Sequence, residues 1–70
     1  MRYKIFRKKF ENINGVRRIK MKDGRVFEAT GYSATLAGSL GSNDPICTAM
    51  ILSKGDSREE INPLEILEVF

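Results

Sequence analysis

Seventy residues allow one domain at most, and a chain this short is marginally stable unless it packs well or associates. One cysteine, Cys47, and no histidine exclude an intramolecular disulfide and leave zinc only one thiol and carboxylates, a poor donor set. The net charge of +3 hides an asymmetry: residues 1–25 carry ten Lys/Arg against Glu11 and Asp23 (+8), whereas residues 26–70 carry Lys54 and Arg58 against seven acids (−5).

The first element is ambiguous. Tyr3, Phe6, Phe10 and Ile13 recur at spacings of three, four and three, the stripe of an amphipathic helix for which Asn14-Gly15 would be the C-terminal cap. Asn-Gly between Ile13 and Val16 is equally a hairpin signal, and Tyr3 and Ile5 alternate as in a strand. The reading leans to a strand over 3–13, because Val16 opens a strand immediately afterwards. The basic opening "MRYKIFRKKF" is not followed by a long apolar stretch, so it does not read as a secretory signal. With no apolar run near the ~18 residues of a membrane span, and one unpaired cysteine, the expected compartment is the reducing cytoplasm.

The segment "IKMKDGRVFEATGY" (19–32) reads as a hairpin bent at Asp23-Gly24. A two-residue loop would mix apolar and charged residues on both faces. A three-residue loop, Lys22-Asp23-Gly24, pairs Met21 with Arg25, Ile19 with Phe27 and Arg17 with Ala29 on one face. On the other face it pairs Lys20 with Val26 and Arg18 with Glu28, an opposite-charge pair. Gly24 then takes the left-handed position of the loop.

"GYSATLAGSLGSNDP" (31–45) is small, polar and Gly/Ser-rich, and reads as a long loop with room for a helical turn around Ala34–Ala37. Residues 46–53, "ICTAMILS", form an apolar run of strand length. Lys54-Gly55-Asp56-Ser57 is a turn and 58–61 a short strand. Asn62 then caps a single helical turn with Pro63 at its first position, and "ILEVF" closes the chain as a last strand.

Strand, tight turn, strand, long loop, strand, turn, short strand, helical turn, strand is the order of small SH3-like barrels, Sm-like proteins included. The hairpin with its Lys-Asp-Gly-Arg turn resembles the first Sm motif, and "EEINPLEILEVF" is similar to the strand, 3₁₀ turn and strand that finish an SH3-type barrel. Lys54-Gly55 resembles the basic residue and glycine of the second Sm motif, although a full strand and turn follow it here. The resemblance implies an all-β fold: a small SH3-like or Sm-like barrel of five to six antiparallel strands with a 3₁₀ turn before the last. The Asp and the Met-Asn pair that help form the Sm nucleotide pocket have no counterpart in Ser33–Asn43, so neither that pocket nor ring assembly is carried over.

The residue types argue against catalysis. Without histidine no Ser-His-Asp or Cys-His constellation can be assembled. Cys47 sits in an apolar run, where a cysteine is usually a small buried hydrophobe. "GSLGSNDP" lacks the lysine and the strand-to-helix setting of a phosphate loop. No cofactor and no small-molecule ligand are expected.

Binding remains. Arg7, Lys8 and Lys9 form one basic cluster, and Arg18, Lys20 and Lys22, joined by Arg25, form another. On a strand, residues 18, 20 and 22 share a face, a row able to follow RNA or DNA phosphates and release their counterions. Phe10 or Tyr32 would supply a stacking surface, set against the core's own need for aromatic rings. Salt-sensitive binding that weakens on Lys20→Glu and Lys22→Glu would be its signature. The alternative is a protein-interaction or regulatory adaptor, or a homo-oligomer, working through an exposed edge strand. Residues 46–52 and "ILEVF" are apolar enough to serve, and the acidic and basic halves would then neutralise one another across a twofold mate.

Overall fold

Alternate burial along residues 17–21 sets the hairpin. In the computed structural model, which describes residues 1–37 and 46–70, β1 (Arg17–Met21) pairs antiparallel with β2 (Val26–Ala29). Arg17 faces Ala29, Arg18 faces Glu28, Ile19 faces Phe27 and Lys20 faces Val26. This is the register of the three-residue loop: the Met21 amide donates to the Arg25 carbonyl at 2.8 Å, and Gly24 sits at φ 95°. Ile19 and Met21 point inward and are fully buried, while Arg18 and Lys20 point outward.

Residues 3–13 are not a strand. Tyr3–Glu11 form α1, an α-helix. The reason is the stripe: a strand would send Phe6 and Phe10 to one side and Tyr3 and Ile13 to the other, whereas a helix brings Tyr3, Phe6 and Phe10 to one face, with Ile13 following just past its end. Phe6 (0% exposed) and Phe10 (5%) enter the core, with Tyr3 and Ile13 packed against it. The Asn12 amide donates to the Lys8 carbonyl at 3.2 Å to close the helix, and Gly15, at φ 82°, turns the chain toward β1. Asn14-Gly15 thus ends a helix instead of bending a hairpin.

The expected long loop gives way over its first half. Gly31–Ala37 form β3, not a loop with a helical turn, and pair antiparallel with β4 (Ile46–Lys54). Tyr32 and Ala34 are half-buried between the exposed Ser33 and Thr35, a period of two that the small side chains disguise. A bulge between Thr35 and Leu36 shifts the register, and the Thr48 hydroxyl donates to the Thr35 carbonyl at 3.2 Å beside it. The rest of that expected loop, 38–45, lies outside the described residues.

The apolar run predicted as a strand is β4, whose Met50 and Leu52 are fully buried. Lys54 and Ser57 are themselves paired, so the turn into β5 (Ser57–Ile61) is tighter than the sequence suggested. A 3₁₀ turn, Pro63–Glu65, follows with the expected cap: Asn62 Oδ1 accepts from the Leu64 amide at 3.0 Å. β6 (Ile66–Val69) then returns to β1.

The strands form two three-stranded antiparallel sheets, β2-β1-β6 (sheet A) and β3-β4-β5 (sheet B). The amide and hydroxyl of Thr30 both donate to the Ser53 carbonyl, at 2.8 and 3.4 Å, and tie the sheets where β2 runs into β3. One core joins both sheets to α1: Phe6 and Phe10 from the helix, Ile19, Met21 and Val69 from sheet A, Met50, Leu52 and Ile61 from sheet B. The Met1 ammonium donates to the carbonyls of Pro63, Leu64 and Ile66 and anchors the start of the helix to the 3₁₀ turn. Among the described residues no helix is long and apolar enough to cross a membrane.

Candidate nucleic-acid interface

The helix decides which cations come together. At about 100° per residue, positions 3, 6 and 10 share one side of α1, and positions 4, 5, 8, 9 and 12 share the other. The outer side therefore carries Lys4, Lys8 and Lys9 around Ile5 and Asn12, all exposed, lining a shallow groove of about 300 Å³. Among the described residues none of the three lysines is ion-paired. Lys4 lies in the first turn, where no acidic residue offsets it and the helix dipole disfavours a cation; Lys8 and Lys9 lie in the last, where the dipole favours them.

Arg7 leaves this group. Its Nε donates to Glu11 Oε1 at 3.1 Å, one turn along, and that bond raises the guanidinium pKa above its ordinary value. Both partners are solvent-exposed, so the pair adds little stability, but it neutralises Arg7 locally.

The second cluster is shorter than its spacing suggested. Arg18 and Lys20 share the outer face of β1, whereas Lys22 lies in the turn beyond the strand and donates its amide to the Glu65 carbonyl at 2.8 Å. Acids flank the two that remain: Glu28 is opposite Arg18 on β2, and Glu68 is opposite Lys20 on β6. Glu28 also takes Lys54 Nζ at 3.2 Å. Arg25 bonds Asp23 Oδ2 through its Nε at 2.7 Å and lies over the Phe27 ring at 5.5 Å. The Asp23 carboxyl is held below its usual range, chiefly by the Arg25 amide donating at 3.0 Å.

Two residues take roles the sequence did not disclose. Lys4 joins the basic face only because the segment is helical; its i,i+4 spacing to Lys8 is the signal that a strand reading discards. Arg17 is structural: it donates to the carbonyls of Phe10, Gly15 and Thr30 at 3.1, 2.8 and 3.2 Å, with its guanidinium 4.3 Å from the centre of the Phe10 ring. It thereby satisfies a carbonyl of the helix's last turn.

The candidate stacking rings belong to the core. Phe10 is buried, and Tyr32 packs edge-on against Phe6 and Phe10, with ring centres 5.0 and 4.9 Å away. Burial pushes the Tyr32 phenol pKa up, as does its contact with the Tyr3 hydroxyl at 3.5 Å. Cys47 is half-buried, and its thiol donates to the Ala49 carbonyl at 3.1 Å; burial pushes its pKa up. Along residues 46–52, β3 pairs with one side of β4 throughout, whereas β5 pairs with the other only from Met50 onward, so Ile46–Ala49 face no strand on that side; β6 lies at an edge of sheet A.

No protein-family profile, curated protein or solved structure matches the chain.

Proposed function

We propose that this is a small non-catalytic binding protein whose basic N-terminal third contacts RNA or DNA backbone with little sequence preference. The observation that carries the reading is the outer face of α1, where Lys4, Lys8 and Lys9 are exposed and, among the described residues, make no ion pair; the nearby Glu11, which lines a groove with Lys4 and Lys8, is bonded to Arg7. Lysine is a compact point charge that neutralises phosphate without reading bases, which suits contact independent of sequence. The scaffold we propose is a partly open SH3-like or Sm-like barrel with α1 across one side; the order of the strands, the Thr30–Ser53 junction and the shared core support it. A reducing cytoplasm suits the unpaired Cys47. The test is fluorescence anisotropy of labelled RNA and DNA of about 20 nucleotides at two salt concentrations. Micromolar or tighter binding that collapses as salt rises is expected; no binding at low salt would refute the reading.

A second reading, a protein-interaction adaptor or homo-oligomer acting through an edge strand, is favoured by β6. That edge leaves Leu67 and Phe70 about half exposed. Such binding would resist salt and be lost on Leu67→Lys.

A further inference from the structure

We infer that the nucleic acid is double-stranded, its phosphates held by Lys4, Lys8 and Lys9 with α1 lying across a groove. The inference rests on the phosphate-binding reading above and adds the form of the ligand and its place on the surface.

Proteins that hold single strands rely on exposed rings on which bases stack. Of the four phenylalanines and two tyrosines here, only Phe70 is exposed. It lies on sheet A opposite Arg18, to which it is joined by bonds of 2.6 and 2.8 Å, and not on the lysine face. The face of α1 offers charge without rings.

The lysines are also arranged for two walls. Lys4 and Lys9 lie about 140° apart around the helix and about 7.5 Å apart along it, with Lys8, Asn12 and Ile5 between them. A helix of about 10–12 Å diameter fits a duplex major groove about 12 Å wide, so the outer lysines meet the bordering phosphates while Ile5 and Asn12 face the floor. The β1 cations add little, because Glu28 and Glu68 lie opposite them. Lys4 opposes the helix dipole and repels Lys8 one turn away, a cost that Glu11, already bonded to Arg7, offsets only in part.

The experiment compares a DNA duplex of about 20 base pairs, an RNA duplex of that length and the separated strands, for wild type, Lys4→Glu/Lys8→Glu/Lys9→Glu and Arg18→Glu/Lys20→Glu. Thermal melts accompany each variant. The DNA duplex is expected to bind tighter than its strands and than the RNA duplex, whose narrow major groove excludes a helix, the helix variant to lose at least about tenfold in affinity and the β1 variant to lose little. Lys4→Glu alone should weaken binding while its melting temperature stays the same or rises, which a purely structural lysine would not show. Tighter binding of single strands, lost with Arg18→Glu/Lys20→Glu, would overturn this inference and leave the phosphate reading standing. Binding to phosphatidylserine vesicles but to no nucleic acid would overturn both.

Discussion

Asp23 does the work of two groups in the first hairpin. Its carboxylate accepts from the Arg25 amide and pairs with the Arg25 guanidinium, and these contacts depress its pKa. A carboxyl whose folded pKa lies below its unfolded value of about 3.9 contributes fully above that pH. The contribution is lost as pH falls through the lower, folded value. Thermal melts should therefore show Asp23→Ala less stable than wild type at neutral pH, with the gap closing as pH falls below the unfolded value of about 3.9 and through the lower, folded one. A gap that stays constant in acid would show that the carboxylate's charge is irrelevant. Cys47 responds in the opposite direction. With its thiol pKa raised by burial, it stays protonated at neutral pH and should react with a disulfide reagent more slowly in the native protein than in urea.

At the scale of elements, the hairpin depends on one backbone conformation. Nothing lies within 4 Å of a Cβ placed on Gly24, so Gly24→Ala costs left-handed strain alone, about 1–2 kcal/mol, and Gly24→Asn less. Urea unfolding of the two variants checks that order. This hairpin was legible in the sequence because only one loop length segregates Ile19 and Met21 from Arg18 and Lys20. The 3₁₀ turn was legible for a similar reason, since Asn62 and Pro63 each have a positional preference there. The helix was not, because two local signals conflicted at Asn14-Gly15 and only the shared core, which takes Phe6 and Phe10 together, resolves them. β3 was hidden by composition: glycine, serine and alanine have low strand preference, and pairing with β4 overrides it. The site inherited the first error, since Lys4 joins Lys8 and Lys9 only on a helix.

Across the whole molecule, the charge asymmetry is not fully spent on internal pairing. Asp23 pairs with Arg25, Glu11 with Arg7 and Glu28 with Lys54, and Glu28 and Glu68 stand across the strands from Arg18 and Lys20, yet the lysines on the outside of α1 make no ion pair among the described residues. That face is held in place by the opposite side of the same helix. Phe6→Ala should therefore cost about 3–5 kcal/mol, a large part of the roughly 4–10 kcal/mol expected of a domain this size. Circular dichroism should show a cooperative melt at much lower temperature, with phosphate binding lost alongside the fold. The most direct test of a phosphate-binding surface is the dependence of affinity on salt for the wild-type protein and a DNA duplex of about 20 base pairs. Three lysine–phosphate contacts imply a slope of log K against log salt of about −2.7. Affinity that does not change with salt would contradict the account.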